Sequence, residues 1–418
     1  MRLRNLTPFH VLAFQGVDPE DEEFHVVVMR VGYQLVPGNG QFTHRAELLQ
    51  GDDAVELAME DEPWGEVHAS SWKAESDLAP MKTACDVIVN ATARAPDGRA
   101  APRWETRVRI TDREDRALLD KTLSACGPRW FEESPDGWSL SAPEPITELA
   151  MRWEHAFGGA SLLRDEDAPP DAPPELNEVC YLNPLGKGWI EERHFDALRD
   201  RPRRLPAPQI EKPGEELRAP VIARHPDGEP DAKAMKAIAS KYGHRPAGLG
   251  VVGRAWTPRL QKAGTYDRQW EEERWPMLPR DSDFGYWNAA PEDQQIDFPP
   301  TDFRLELSNL AHEARVSVEM PGHRALVVAY RDEGPFAIEM APDTILVDTD
   351  EMRVDIVFRA FFPIAAGVRE VEARFEVDPN APLVKIELPP ADPGDSPSPR
   401  DSAPSASPKS DPDEEHDG

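Results

Sequence analysis

The apolar residues in the first part of the chain follow the pattern of β-strands. Phe24 to Leu35 is apolar at successive positions, as expected of a strand that is buried on both faces. Pro37 to Gly40 then has the composition of a turn. Trp104 to Ile110 alternates between apolar or neutral residues and charged ones, which predicts a strand with one solvated face.

The same period of two returns near the end of the chain. It is clearest in Glu370 to Val377, where Val, Ala and Phe alternate with charged residues. Five further short strands are predicted at residues 305–307, 315–320, 326–328, 345–347 and 354–358. Short strands separated by polar turns favour antiparallel packing. The chain is therefore predicted to be mainly β, a β-rich α+β fold with two antiparallel β-sandwich or barrel-like lobes.

The middle of the chain differs because its many prolines cannot donate hydrogen bonds to a strand ladder. Two short helices are predicted there. The first follows Pro230 and has an apolar face with the spacing i, i+3, i+4 and i+7, formed by Met235, Ile238, Ala239 and Tyr242. The second is predicted from Tyr266 to Arg274, ended by Pro276, with Trp270 facing inward.

A chain of 418 residues is long for one hydrophobic core, since cores stop growing at about 250 to 300 residues. The final segment contains no aliphatic residue larger than alanine, so burial cannot offset its ordering entropy. The predicted organisation is an N-terminal β-rich lobe at 1–163, a proline-rich middle region with short helices at 164–300, a C-terminal β-rich lobe at 301–388 and a disordered acidic tail at 389–418.

The chain is strongly acidic, with a formal net charge of −31. A field of that sign repels phosphate backbones and anionic lipid headgroups. We therefore expect no nucleic-acid partner and no membrane insertion, and no apolar run is long enough to cross a bilayer. The simplest interpretation of the charge is solubility, with a basic protein partner as the alternative.

The cysteines Cys85, Cys126 and Cys180 are odd in number and widely spaced, which argues against a disulfide framework or a thiolate zinc site. The start of the chain has arginines like a signal peptide. Its apolar stretch is interrupted by Pro8 and His10, and no small-residue cleavage site follows. A reducing, cytoplasmic location is expected.

Two motifs could carry chemistry. Residues 248–253 read Gly-Leu-Gly-Val-Val-Gly, but the flanking residues do not predict the strand and helix that a dinucleotide site requires. Glu75 and Asp77 would share one face of a strand and could act as a general acid and base on a glycoside, although exposed acidic faces are common in so acidic a chain. No hydrolase elbow or zinc-binding helix motif is present. We expect no catalytic residue, cofactor or metal.

Residues 254–294 are unusually rich in aromatic, proline and charged residues. Together with the opening Arg4-Asn5-Leu6-Thr7-Pro8-Phe9, this segment resembles the domain of unknown function 2169 (DUF2169) family, whose members are type VI secretion accessory proteins. Further stretches that carry the resemblance, in order along the chain, are residues 75–80, 86–90, 127–130, 153–159 and 183–188. Leu249 departs from the family pattern, which more often has an aromatic residue there, and the acidic tail replaces the pentapeptide repeats of some members.

The resemblance implies an adaptor or chaperone that binds an effector, often one with a PAAR-type tip domain, and assists its loading onto a VgrG-type spike. It implies no catalytic residue. Trp, Tyr and Arg dominate the energetically important residues of interfaces, so the candidate contact residues are Trp256, Arg259, Tyr266, Trp270 and Trp287. Buried aromatic residues in a long loop more often serve packing, which is the competing interpretation of all five.

Two alternative functions remain open. The first is a carbohydrate-active or other hydrolytic enzyme that uses Glu75 and Asp77. The second is a structural part of the secretion baseplate. An adaptor is expected to recover one effector in a pull-down, a baseplate part many structural subunits, and an enzyme need recover neither.

Overall fold

The computed structural model describes residues 1–67, 69–163, 175–193, 203–228 and 230–381. The predicted acidic tail at 389–418 lies outside these residues, as do the prolines at 169–170 and 173–174. The described part is rich in β-strands and has several separate sheets, and none of the sheets in it closes into a barrel. The predicted β-rich α+β class is confirmed.

The described strands are numbered in chain order. They are β1 (Arg2–Asn5), β2 (Val11–Val17), β3 (Glu23–Pro37), β4 (His44–Leu48), β5 (Glu62–Pro63), β6 (Trp72–Ala74), β7 (Cys85–Asn90), β8 (Thr92–Arg94), β9 (Arg103–Thr111), β10 (Ala117–Cys126), β11 (Trp130–Ser134), β12 (Gly137–Leu140), β13 (Glu148–Ala150), β14 (Phe157–Gly158), β15 (Ala160–Leu163), β16 (Glu175–Val179), β17 (Lys187–Glu191), β18 (Arg204–Pro206), β19 (Ile210–Glu211), β20 (Val221–Ala223), β21 (Gln295–Ile296), β22 (Arg304–Ser308), β23 (Arg315–Glu319), β24 (Arg324–Arg331), β25 (Gly334–Glu339), β26 (Ala341–Asp348), β27 (Arg353–Pro363) and β28 (Glu370–Glu376).

The largest sheet has seven strands and runs in the order β2, β3, β27, β26, β7 and β21, with β4 also paired to β3. Strands β26 and β7 are parallel, and the other pairs are antiparallel. The predicted strand Phe24 to Leu35 lies within β3, where nearly every residue is buried. The prediction of a strand covered on both faces is confirmed, and this strand lies between β2 and β27 and also pairs with β4.

Two further sheets complete the main body. One has five strands in the order β19, β10, β9, β22 and β23, and the other has four in the order β1, β28, β24 and β25. The predicted half-solvated strand at 104–110 lies within β9, where buried and exposed residues alternate. The predicted strand at 370–377 corresponds to β28 except at its end, because Val377 lies beyond β28 and is 59% exposed. Both alternating patterns therefore place their apolar face toward the interior.

The three sheets share one hydrophobic core, which includes Val27 of β3, Ile110 of β9, Leu305 of β22 and Val327 of β24. Strands from the two ends of the sequence pair directly within them, because β3 pairs with β27, β7 with β26, β9 with β22 and β1 with β28. The predicted boundaries at 163 and 301 thus separate strands that are hydrogen-bonded to one another. The segments 1–163 and 301–388 do not form two separate lobes in the structure, because completing each sheet requires strands from both.

Smaller sheets and short helices fill the remainder. The small sheets pair β11 with β12 and β18, β8 with β13, β14 and β20 with β17, β15 with β16, and β5 with β6. The described α-helices are α1 (Ala232–Ala239), α2 (Thr257–Leu260) and α3 (Arg268–Glu273). Single 3-10 turns occur at Gly51–Asp53, Pro96–Gly98, Trp153–His155, Phe284–Trp287, Glu292–Gln294 and Ile364–Ala366. None of the helices in the described ranges is long and apolar enough to cross a membrane.

Helix α1 confirms the first helix prediction. The Asp231 side chain accepts a hydrogen bond from the Ala234 backbone N–H and caps the helix. Its apolar face, together with the following Tyr242, packs into a second cluster that includes Tyr181 and Trp189. The predicted packing role of this helix follows from its single apolar face.

Candidate partner-binding site

A buried carboxylate of the largest sheet helps to hold the segment 248–294, which also bonds to β7 through Leu249 and Gln294. Asp86 of β7 accepts hydrogen bonds from the backbone N–H groups of Ala289 and Ala290, at 2.8 and 3.1 Å. It also pairs with the Lys82 ammonium at 2.8 Å. Ala289 and Val251 cover the outer face of β7, where they pack with Ile88. The sheet therefore acts as a fixed support for the candidate segment.

The glycines at 248–253 allow two indole rings to approach the backbone. A Cβ placed on Gly248 would lie 2.8 Å from the Trp153 ring, and one on Gly253 would lie 2.6 Å from the Trp256 ring. The next helix, α2, has four residues. These glycines are explained by close packing of tryptophan against the chain.

Trp256 and Arg259, two of the five candidate residues, are buried. Trp256 is 6% exposed and packs edge-on against Trp153 with ring centroids 5.4 Å apart. Arg259 is 2% exposed. Its guanidinium donates to both carboxylate oxygens of Glu75, to the Tyr286 carbonyl at 2.9 Å and to the Val252 carbonyl at 2.8 Å. Both side chains fix the segment internally and are not on an accessible surface.

Glu75 and Asp77 belong to two separate ionic clusters. Both lie after β6 rather than on it. Glu75 is bonded to Arg259 and also pairs with Arg254 at 3.3 Å. Asp77 pairs with Arg30 at 3.2 Å and accepts a hydrogen bond from the Ala58 backbone N–H at 2.8 Å. Burial raises the pKa of Asp77, against the lowering effect of Arg30. Neither carboxylate lies on a strand and each is engaged by different arginines, so the shared strand face on which the enzyme alternative was based is not present.

Three aromatic side chains form an exposed cluster around α3, which we call the aromatic ridge: Tyr266, Trp270 and Trp275. Tyr266 is 55% and Trp275 70% exposed. The Trp270 ring lies between them, with centroids 4.7 Å from Tyr266 and 5.6 Å from Trp275, in edge-to-face contacts. The exposed Met277 adjoins the ridge, because its carbonyl accepts the Trp270 indole N–H at 2.9 Å. The ridge presents aromatic faces to solvent.

The second predicted helix is shorter than expected, and its tryptophan is oriented differently. Helix α3 covers the middle of the predicted range, and Asp267 caps it by accepting from the Trp270 N–H at 2.8 Å. The prediction that Trp270 faces inward is wrong, since the ring is only partly buried and packs on the exposed Tyr266 and Trp275. Helix α3 spans six residues, and the rings on either side of Trp270, those of Tyr266 and Trp275, are exposed.

Two arginines fasten the ridge to the loop before β3. Arg274 donates to the Asp21 carboxylate at 2.7 Å, and Arg280 donates to the same carboxylate at 2.6 Å. The hydrogen bond from Arg274 lowers the pKa of Asp21. Arg274 also donates to the Leu278 carbonyl at 2.8 Å. The ridge is exposed but held in place at its base.

A cavity of about 310 Å³ lies beside the ridge. Its walls include Tyr266 and Trp287, with Leu260, Ala263, Phe284 and Lys262. Trp287 is half-buried, contacts Tyr286 edge-on and lies 5.8 Å from the Arg254 guanidinium. Of the five candidates, the structure places Tyr266 and Trp287 at this cavity and Tyr266 and Trp270 on the ridge, whereas Trp256 and Arg259 lie in the interior.

Sequence reasoning missed Trp275 and Met277, which are among the exposed large apolar side chains. They lie in an irregular stretch after α3, where no periodicity distinguishes an exposed ring from a buried one. It also missed Lys121. That residue stands on β10 in the same phase as the apolar Leu119, Leu123 and Ala125, so a charge at an inward position was a readable signal.

The Lys121 ammonium is buried and bonded to three oxygen atoms. It donates to Asp293 Oδ1 at 2.6 Å, to the Gly248 carbonyl at 2.7 Å and to Gln294 Oε1 at 2.7 Å. Burial lowers the pKa of Lys121 to about 8 in spite of Asp293. Because all three ammonium protons are used, this lysine ties β10 to both ends of the candidate segment.

Across the described residues, no group of three or more His, Cys, Asp or Glu side chains is arranged to hold a metal ion. Cys85, Cys126 and Cys180 are free thiols, and all three are buried. Burial raises the pKa of Cys180 to about 12, which makes it an unreactive thiol at neutral pH.

Comparisons with known proteins identify a family. No curated protein and no solved structure matches the chain. A family model described as an uncharacterized protein conserved in bacteria (DUF2169) matches residues 20–359. That range contains most of the largest sheet, though not β2, together with the buried Arg259 cluster and the aromatic ridge. The chain therefore belongs to the DUF2169 family.

Proposed function

We propose that this protein is a cytoplasmic accessory protein of the type VI secretion system, an adaptor or chaperone that binds one effector and assists its loading onto the VgrG-type spike. The effector is expected to be one that carries a PAAR-type tip domain. The proposal starts from the family resemblance, and the single structural observation that supports it is the aromatic ridge.

The ridge has the composition of a protein-binding surface. Tyr and Trp provide large contact areas at low cost in side-chain entropy, and residues of these types dominate interface energies. Tyr266 and Trp275 present such rings to solvent, with the partly buried Trp270 packed between them, on a backbone that Arg274 and Arg280 hold to Asp21. A preformed aromatic surface loses little freedom when a partner docks.

The proposal is tested by co-expression with the effector encoded nearest to this gene. The two proteins should elute together in size-exclusion chromatography, and deletion of this protein should reduce the solubility or the secretion of that effector. A pull-down that recovers many secretion subunits and no effector would favour the baseplate alternative. Normal secretion in the deletion strain, together with no recovered effector, would contradict the adaptor proposal.

The role of the ridge is tested with a double variant, Trp270→Ala with Trp275→Ala. We expect the complex to weaken by about tenfold or more in dissociation constant, because interface aromatic residues commonly contribute 1 to 4 kcal/mol. Phe298→Ala is the matched control, since Phe298 is another exposed ring that lies outside the ridge. If the ridge variant binds the effector as tightly as the Phe298→Ala control, the interface lies elsewhere on the protein.

A further inference from the structure

The surroundings of the aromatic ridge are acidic. The segment that contains the ridge, residues 262–287, has six acidic and four basic residues. The loop fastened to it, residues 18–23, has five acidic residues and no basic one. Glu20, Glu22 and Glu271 are exposed. In the described part of the chain, none of these three has an ion-pair partner.

The basic residues of the same surface are largely engaged. Arg274 and Arg280 are both bonded to Asp21. Arg268 is bonded to Glu272 at 2.7 Å, and Lys262 lines the cavity. Because three of the four cations are paired while several carboxylates are not, a docking partner meets a negative field around the aromatic rings.

Resting on the proposed function, we propose that the ridge docks a cationic segment of the effector, in which lysine or arginine side chains lie against the aromatic faces and an apolar side chain enters the adjacent cavity. Trp275 and Tyr266 expose ring surface to solvent, and the negative face of an aromatic ring attracts ammonium and guanidinium groups. The unpaired carboxylates stabilise the same charges at longer range.

The cavity specifies the apolar part of that segment. Its volume of about 310 Å³ is sufficient for one or two side chains, and its walls include Leu260, Ala263 and Phe284. Tyr266 lines the cavity and also belongs to the ridge. A residue in the cavity and a cation on the ridge would therefore be close neighbours in the partner sequence. An anionic partner is disfavoured by the same field.

The test uses the full chain and two labelled peptides. One peptide repeats Arg-Pro-Leu-Lys, and its twin has glutamate at every Arg and Lys position. The protein should bind the cationic peptide at least about tenfold more tightly than the acidic twin, and added salt should reduce the preference. Trp275→Ala should weaken binding of the cationic peptide several-fold without changing the charge.

A matched pair of charge variants separates this surface from the overall charge. Glu20→Lys, Glu22→Lys and Glu271→Lys together reverse three carboxylates at the ridge. Asp52→Lys, Asp53→Lys and Glu114→Lys make the same change in net charge at exposed carboxylates elsewhere. The first set should abolish the preference for the cationic peptide, and the second should retain it within about twofold to threefold. Equal loss in both sets, or no preference in the unmodified protein, overturns the proposal.

The same variants applied to the effector complex distinguish this proposal from the adaptor function. If the effector binds and the ridge reversal leaves its affinity unchanged, the cationic-segment proposal fails and the adaptor function stands. If the peptides behave as expected and no effector is recovered, the surface chemistry stands and the adaptor function fails.

Discussion

The buried cluster around Arg259 and the aromatic ridge both lie in the segment 248–294 and contain the same residue types. One is buried in the protein interior, and the other is exposed to solvent. Trp256 and Arg259 lie in the interior, where Arg259 is 2% exposed and its guanidinium pairs with Glu75. Tyr266 and Trp275 lie a few residues later in the chain and are exposed to solvent. Aromatic and arginine content alone therefore does not identify an interface. In this segment the first group is buried and fixes the chain internally, and the second is exposed to solvent.

The largest effect should follow from Arg259→Ala. Removal of this side chain leaves the buried carboxylate of Glu75 with only its weaker contact to Arg254, at 3.3 Å. Breaking a buried ion pair costs about 3 to 5 kcal/mol of the free energy of unfolding. Urea denaturation measures this change. Arg268→Ala is the control, because its pair with Glu272 is exposed and should contribute below about 1 kcal/mol. Equal stability of the two variants would remove the distinction between the regions.

The buried Lys121 should make the free energy of unfolding depend on pH. Its folded-state pKa of about 8 lies below the ordinary value of 10.5. Between these values the unfolded chain binds more protons than the folded one, so stability should increase as pH rises through this window. The gain is at most about 3 kcal/mol.

The measurement is the free energy of unfolding of the native protein minus that of Lys121→Met, determined by urea denaturation at several pH values within the window. Subtraction removes the contributions of other lysines and of tyrosines. The difference should move in favour of the native protein as pH rises. A difference that is constant with pH would show that Lys121 keeps an ordinary pKa in the folded state.

Gly253→Ala tests how tightly the buried indole packs. The added Cβ would lie 2.6 Å from the Trp256 ring, which therefore has to move. Overpacking of this kind costs about 1 to 3 kcal/mol. Gly40→Ala serves as the control, because no atom lies within 4 Å of the Cβ position there. Thermal and chemical denaturation of the two variants should separate them, and an equally stable Gly253 variant would indicate a loose contact.

The smallest effect on stability is expected for Trp275→Ala. This ring is 70% exposed, so its removal should change the free energy of unfolding by less than about 0.5 kcal/mol. The same substitution at the buried Trp256 should cost about 3 to 5 kcal/mol. Partner binding should show the reverse order once each variant is confirmed to be folded. A large loss of stability in Trp275→Ala would mean that the ridge is structural.

Much of the secondary structure could be predicted from the local pattern of apolar and polar residues. The alternation in β9 and β28, the two-sided burial of β3 and the apolar face of α1 all follow from the spacing of apolar residues. That spacing reflects the geometry of a single element, so it is visible without knowledge of neighbouring elements. The family resemblance was also readable, because it rests on residue identities in order.

The pairing of strands with one another could not be predicted from the sequence pattern. Sequence pattern indicated strands at both ends of the chain and suggested two lobes, but β3 pairs with β27 and β9 with β22 in shared sheets. Pairing over such distances depends on which edges meet during folding, and periodicity within a strand carries no information about its partner.

The sequence by itself determined the β-rich class, the strongly acidic character and the segment that holds the candidate contact residues. Only the tertiary structure decided which side chains of that segment are available. Trp256 is covered because Gly253 and Trp153 pack against it, and Arg259 because Glu75 arrives from a distant part of the chain. Tyr266 and Trp275 remain exposed because the short α3 and its arginine contacts hold them outside the sheet. Burial is a property of what surrounds a residue, and those surroundings are assembled only on folding.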